Sequence, residues 1–477
     1  MSAEAPPRPN DLTYGLDDVP KPFPKALGLG MQHVLTMFGA TIAVPFIIGG
    51  ALGFEGAELA VLVSSVFIAS GVATAIQVAI GSRLPIVQGV SFAFLGPFFA
   101  IAATYQGAEG MQVIAGMVIV GAVLPLILGF GGLMGMLRRF ITPITIAPVI
   151  ALVGLSLFGA AAGNAGQHWP LSLTTLALIF AFGLVLAPRI RLMSLFPILL
   201  AVVTAYVIAL VFTALGVFEG PAAVSFAAVG DAPLFRGFEI GGGGLIFPWG
   251  TPIFDFTFII AILAAYLASS IESFGDYHAI SRIAGVGDPD AKTINRGIGA
   301  EGIGCALTGL FGGFSSTSYS ENIGLVGLTK VASRAVVLIG AGVLVILGLV
   351  GPVGAIIATI PIPVVGGVYL ALFGLITAVG LSNLRRADMD SQRNLMIVGF
   401  LLFGGLAFPY YFGGEAGADF SFFGIEWATT FIKSIGSNAI AVAAVLGILL
   451  DNLIPGTDEE RGIGSDPVVL PPQDMHG

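Results

Sequence analysis

The sequence predicts an all-α polytopic membrane protein of about fourteen transmembrane spans in a seven-plus-seven inverted repeat, with two short antiparallel strands in spans 3 and 10. Three observations predict it. Of 477 residues, 56% are hydrophobic and only 10% charged, against about 25% charged in an ordinary soluble domain. The mean hydropathy of +0.98 is more than a soluble fold could hide. Windows of roughly 20 apolar residues, enough to cross a bilayer as a helix, recur along nearly the whole chain, and the basic residues sort into alternate connections between them.

Residues 1–24 are polar, Pro-rich and charged rather than basic and then apolar, so they predict a cytoplasmic tail and not a secretory leader. The apolar segments then fall near 26–48, 57–80, 88–104, 110–133, 142–162, 170–188 and 194–216 in the first half. In the second half they fall near 257–281, 294–311, 315–332, 334–358, 363–383, 393–413 and 430–453. The single cysteine, Cys305, lies in a predicted span and leaves no intrachain disulfide to form. A net charge of −9 comes partly from outer loops and the acidic tail 456–477, as in "TDEERGIGSDP"; it concerns the solubility of those ends.

The basic residues test the segment count, because a miscounted span would flip every later loop. With a cytoplasmic N-terminus, the inner side collects Arg8, Lys21, Lys25, Arg83, Arg138, Arg139, Arg189, Arg191, Arg282, Lys292, Arg296, Lys330, Arg334, Arg385, Arg386, Arg393 and Arg461. That is seventeen of nineteen, with only Arg236 and Lys433 outside. Both termini are therefore expected in the cytoplasm, and the long connection 217–256, with its Gly-rich "EIGGGGLIFPWG", outside. Two related halves with an odd number of spans each must insert in opposite directions.

Interrupted hydrophobic segments in corresponding positions of two halves point to a binding site near the middle of the membrane. The third span begins "LPIVQGVSFAFLGPF" and the tenth "GGFSSTSYSENIGLVGL". In the tenth, Ser316, Ser318 and Ser320 alternate with Thr317, Tyr319 and Glu321, a period of two that favours a strand. Ser91 to Phe94 do something similar in the third. Strands facing lipid would leave backbone groups unpaired at several kcal/mol each, so the two are expected to pair inside the protein. Each then continues as a short helix whose N-terminus suits carbonyl oxygens or an anionic group, with Ser320 expected as an N-cap.

Glu272 and Asp276, in "AAYLASSIESFGDYHAISRIAG", are four residues apart and share a helix face. A mid-membrane charge costs about 2.5–3.5 kcal/mol on insertion scales, so two in one span, facing Glu321 in another, argue for function. His278 lies off that face and reads better as part of an interfacial ladder. His33, beside Gln32 in "LGMQHVLTMFGATIAVPF", reads as a hydrogen-bonding support. No nucleotide-binding glycine pattern stands in a strand-loop-helix context, and no Cys/His metal set exists. Energy for uphill movement of a solute is left to an ion gradient, with buried carboxylates as natural proton carriers.

At these residues the chain resembles the nucleobase-ascorbate transporter family, the xanthine/uracil permeases. "ENIGLVGLTKVASR", Glu321 to Arg334, matches that family's pattern of an acidic or amide residue followed by N-x-G-x-x-x-x-T-[KR]-x-x-S-R throughout; "IESFGDY", "MQHVLTMFGATIAVP" and "QGVSFAF" resemble its eighth-, first- and third-span motifs. The resemblance implies a core domain, 25–135 and 257–358 (spans 1–4 and 8–11), and a gate domain, 140–216 and 363–453 (spans 5–7 and 12–14). It implies that Glu272 and Glu321 take ring N–H groups of a base, while the backbone around Ser91 and Phe92, with Tyr319 and Ser320, meets its carbonyls and ring face. Asp276 and His33 would support the network and proton coupling, and Asn322 would orient the strand–helix junction. The implied protein is no enzyme and needs no cofactor beyond a proton gradient, or sodium held by the same groups. Its partners would be a nucleobase and membrane lipid, with no nucleic acid, and by resemblance alone a second copy in a homodimer.

Glu321 resembles the uracil-transporting members, whereas Asp276 in "ESFGDY" resembles the purine type, so uracil and xanthine both stand as substrates, with the balance tipped to uracil. A sulfate-permease-type anion exchanger or channel on the same fold is the main competitor. Glu272 and Glu321 would repel its anion, and no soluble regulatory domain follows the last span.

Overall fold

A computed structural model describes residues 12–134, 142–230, 232–414, 417 and 419–463. Arg8, Arg138, Arg139 and the outer parts of both tails lie outside the described residues. The first-half helices are α1 (Phe23–Ala51), α2 (Gly56–Ala79), α3 (Leu95–Thr104), α4 (Gly107–Gly121), α5 (Val123–Phe130), α6 (Pro143–Leu155), α7 (Phe158–Gly166), α8 (Trp169–Phe180) and α9 (Pro197–Ala214). The second half contains α10 (Ile259–Ile283), α11 (Ala291–Leu310), α12 (Ser320–Thr329), α13 (Arg334–Leu349), α14 (Gly351–Ala358), α15 (Ile362–Ser382), α16 (Gln392–Phe412), α17 (Glu426–Gly436) and α18 (Ala439–Leu453). Two strands, β1 (Gln88–Val90) and β2 (Ser316–Ser318), precede α3 and α12.

Among the described residues, nine helical stretches are long and apolar enough to cross a membrane, and three shorter apolar helices join them. Two further segments complete the expected series: α11, which carries Lys292, Arg296 and Glu301, and the ten-residue α12. Several segments expected as continuous are divided. The fourth breaks at Ala122, just ahead of Pro125, whose missing N–H and ring disfavour an unbroken helix. The eleventh breaks at Val350, before Gly351 and Pro352. The last was expected over 430–453, but α18 starts only at Ala439 and the preceding stretch belongs to α17. The cause is local: Asn438 caps α18, its Oδ1 accepting from the N–H groups of Ile440 (2.9 Å) and Ala441 (3.0 Å).

The helices pack in two sets. In one, α2 lies against α13, α14 and α11, with α1 on α13 and α11 on α4 and α5; in the other, α15 lies against α6, α7 and α8, and α18 against α6 and α16. Between the sets, α10 meets α18, and α1 meets α9 and α15. Close approach within the first set requires small residues: a Cβ on Gly30 would come within 2.9 Å of the Gly340 backbone nitrogen, so α1 and α13 touch backbone to backbone.

The long connection before α10 is fastened down rather than loose. The Trp249 ring stacks on Phe54 at 4.6 Å, and its Nε1–H donates to the Gly312 carbonyl at 3.2 Å. Arg236 is buried and donates to Ser65 Oγ and to the carbonyls of Gly243 and Gly244. Desolvation lowers its pKa to about 10, so at neutral pH it keeps its charge and needs those acceptors.

Candidate functional site

The site is built on the two strands. They pair antiparallel, Gln88 opposite Ser318, Gly89 opposite Thr317 and Val90 opposite Ser316, as segments inserted in opposite directions would. The ladder extends by one bond at each end, Ser91 N–H to the Ser315 carbonyl and Tyr319 N–H to the Val87 carbonyl, both 3.0 Å. All six strand residues are buried, and Thr74 of α2 closes on both backbone groups of Gln88. Close packing excludes a side chain at Gly89, where a Cβ would lie 2.4 Å from the Tyr319 ring.

The first strand sits earlier than expected. Ser91 to Phe94 do not continue it: Phe92–Phe94 form a 3-10 turn, and Ser91 Oγ accepts from Ala93 N–H at 3.3 Å. A serine hydroxyl can divert its own local backbone from a strand into a turn. The second strand is read more nearly, but Ser320 is not the cap of α12. That place belongs to Tyr319, with no side-chain cap bond, and Ser320 is already helical. Its hydroxyl donates instead to Asp276 Oδ1 at 2.8 Å, a charge-assisted bond stronger than a neutral cap.

Asp276 is thus central to the junction of β2 and α12. Its Oδ2 accepts from Ser318 Oγ at 2.6 Å. One turn earlier on α10, Ser273 Oγ lies 3.1 Å from both Thr317 Oγ1 and Ser318 Oγ. On the opposite flank, Asn322 Nδ2 donates to the His33 carbonyl at 2.9 Å and lies 3.2 Å from His33 Nδ1, tying α1 to α12. His33 and Asn322 are both buried. Tyr319 is buried too, its hydroxyl donating to the Val90 carbonyl at 3.0 Å. His278 Nδ1 lies 2.9 Å from the Phe274 carbonyl, one turn earlier on α10.

Glu272 and Glu321 differ from these. Neither carboxylate has a hydrogen bond to another residue among the described ones, although Glu272 feels the charges of Asp276, Glu301 and Glu321. Ser320, Glu321, Gly324 and Leu328 form the exposed face of α12, while Asn322, Ile323, Leu325 and Val326 form its buried face, the division expected of a helix beside an open cleft. Glu321 occupies the first turn of α12, where free backbone N–H groups favour negative charge. A Cβ on Gly275 or Gly324 would meet nothing within 4 Å. Towards the second helix set, Phe92 is half-buried and meets Phe373 of α15 edge-on at 6.0 Å. Beside Ile271, between α10 and α6 and α18, remains a cavity of only about 20 Å³.

Sequence reasoning missed Glu301, which is buried on α11 and accepts from Ser269 Oγ at 3.1 Å and from the Tyr277 hydroxyl at 3.2 Å. The signal was present as a lone carboxylate in the Gly-rich run "GIGAEGIGCALTGL". Ser318 and Thr317 were legible as strand residues and Ser273 as a neighbour of the Glu272–Asp276 face, but not the bonds that join them, whose partners are 42 to 45 residues distant.

The family model described as a permease family, that of the xanthine/uracil permeases, matches residues 24–414. Solute carrier family 23 member 1 of Rattus norvegicus is 38% identical, over 95% of this chain and 82% of its own length. Nucleobase-ascorbate transporter 1 of Arabidopsis thaliana is 32% identical, over 95% of this chain and 91% of its own. Among solved structures, the transmembrane domain of the cyanobacterial bicarbonate transporter BicA aligns with a TM-score of 0.53 at 14% identity, covering 88% of this chain and 99% of that one. The murine anion transporter Slc26a9 aligns with a TM-score of 0.60 at 12% identity, covering 92% and 69%. At such identities the structural likeness speaks for the fold, which is that of membrane transporters. With the paired strands, the two half-helices and these matches together, the chain belongs to the xanthine/uracil permease family and is a multi-pass membrane transporter.

Proposed function

We propose that the protein imports a nucleobase, uracil or a xanthine-type purine, across the plasma membrane together with protons. The observation that carries this reading is the pair of carboxylates without hydrogen-bond partners among the described residues, Glu272 and Glu321, beside the N-terminus of α12. A uracil or xanthine ring alternates N–H donors with carbonyl acceptors. Glu272 and Glu321 would take the donors, helix-end N–H groups and the backbone N–H of Phe92 the acceptors, and Phe92 with Tyr319 the ring. Asp276, with Ser320, and His33, with Asn322, would hold the strand–helix junction in place and couple it to protons.

The two packing sets correspond in this reading to a core that carries the strands and a gate that closes on it, both termini lying in the cytoplasm. The small cavity beside Ile271 is about the size of one water, so room for a ring there would come from movement of the gate away from the core, as alternating access requires. The names of the structural neighbours suggest an anion instead. Three further carboxylates within electrostatic reach of Glu272 and no ion-paired Lys or Arg beside the four among the described residues oppose that, and they oppose ascorbate, an anion at neutral pH, for the same reason.

The test is uptake of labelled uracil, xanthine, ascorbate and sulfate by proteoliposomes, under an imposed pH gradient and separately under a sodium gradient. Uptake of a base driven by the pH gradient is the expected result. Uptake of ascorbate or sulfate without either base would overturn the substrate reading, and uptake driven by sodium alone would overturn the coupling.

A further inference from the structure

The half-helix α12 carries Glu321 in its first turn and ends at Lys330, which adopts a left-handed conformation with φ 58°. A residue with a Cβ is held there only at a cost. Between Lys330 and the start of α13 at Arg334, the residues Val331, Ala332 and Ser333 are buried, and backbone groups at two adjoining helix ends need partners from elsewhere. Residues 13–16 supply them. The Lys330 carbonyl accepts from Thr13 N–H at 2.8 Å and from Tyr14 N–H at 3.3 Å, Ala332 N–H donates to the Tyr14 carbonyl at 2.8 Å, and Arg334 N–H donates to the Leu16 carbonyl at 3.0 Å. This alternation, with Tyr14 bridged to Val331 in parallel, is the pattern of an added strand.

The side chains follow the same course. Leu12 and Leu16 pack on a buried cluster that includes Ile323 and Val326 of α12 and Ile280 of α10. Ser333 Oγ donates to the Asp18 carbonyl, and the Arg334 guanidinium pairs with Asp17. Ser333 and Arg334, which close the motif "ENIGLVGLTKVASR", thus have partners in residues 17 and 18. The same stretch leads into α1, whose His33 holds Asn322 near the other end of α12. We infer that residues 12–18 are a strap that positions α12, and with it Glu321, and that Lys330–Arg334 is the edge on which the strap docks. The consequence for Glu321 rests on the binding role given to that residue above. A helix of ten residues with one face on a cleft is marginal by itself, so its orientation depends on what grips its ends. The first turn is gripped by α1 and α10, and the last by the strap.

The experiment uses the full-length protein in detergent and measures amide hydrogen exchange over residues 320–334 together with binding of uracil and xanthine. In a Leu12→Asp, Leu16→Asp double variant, exchange over that stretch is expected to be at least about tenfold faster while α18 is unchanged. Base affinity is expected to fall at least about tenfold, because a displaced Glu321 no longer meets the ring. Leu12→Met with Leu16→Met keeps the apolar contact and is expected within about twofold of the unmodified protein in both measurements. Unchanged exchange over 320–334 in the Asp variant would overturn the strap. Faster exchange there with unchanged base affinity would overturn its positioning of Glu321. If the Asp variant does not fold, Leu16→Ala decides, with exchange expected at least about threefold faster and an unchanged rate overturning the strap. A failure of the underlying reading is seen separately: the unmodified protein would then bind neither base, while the exchange comparison would stand.

Discussion

Two groups of buried acids in this protein are treated in opposite ways. Asp451, in the last turn of α18, is fully enclosed and paired with two guanidinium groups, Arg393 and Arg461, each at 3.0 Å, and it also accepts from Thr142 Oγ1 at 2.8 Å. Around β2, Asp276 and Glu301 have hydroxyl donors, and the nearby Glu272 and Glu321 have no hydrogen-bond partner among the other described residues. The first arrangement joins α18, α6 and α16 and leaves no valence for anything else. The second is unfavourable unless something arrives from outside, a proton or the N–H groups of a ligand. The difference separates an acid that holds the fold from acids kept ready for binding.

The comparison can be broken at several points, and the largest effect is expected at the paired acid. Asp451→Asn would leave two nearly enclosed guanidinium groups without a counter-charge and should lower stability by about 3–5 kcal/mol, read as thermal unfolding in detergent, with base binding intact in the folded fraction. Glu272→Gln and Glu321→Ala should do the reverse. Unfolding should stay within about 0.5 kcal/mol of the unmodified protein, while binding of uracil or xanthine falls by at least about a hundredfold, roughly 2.8 kcal/mol, by calorimetry. If both variants bind either base normally, the cleft acids are not the site.

Asp276→Asn should fall between the two classes, because Asp276 is both buried and bonded. It exchanges charge-assisted bonds to Ser318 and Ser320 for neutral ones, at about 1–2 kcal/mol of stability, and should flatten the pH dependence of uptake. An Asp276→Asn protein with an unchanged pH profile would move this residue into the structural class. The smallest effect is expected at Asn438→Ala, which removes the cap of α18 for about 1 kcal/mol and should leave binding untouched, measured by the same unfolding assay.

Much of the fold was legible because it follows from one-dimensional properties. The fourteen apolar segments, the strand in "SSTSYS" and the shared face of Glu272 and Asp276 each come from local hydropathy or from a period of 2 or 3.6. Ser320 shows the limit. A serine at the start of a helix reads as a cap by local rules, and only the arrival of Asp276 from α10 turns its hydroxyl away. Ser91 shows the converse, since a side-chain bond to its own neighbour's amide ends β1 earlier than the alternation suggested.

What the sequence by itself determined is therefore the membrane solvent, the order of the helices, the two interrupted spans and the identity of the acids within them, because each depends on residues that are neighbours in the chain. Only the tertiary structure decided which acids are satisfied. Asp451 lies 58 residues from Arg393, Asn322 lies 289 from His33, and Glu301 meets Tyr277 from another helix. Whether a carboxylate finds a cation, a hydroxyl or an open cleft is set by how helices pack across the whole chain, and that partner governs whether burying it is tolerated.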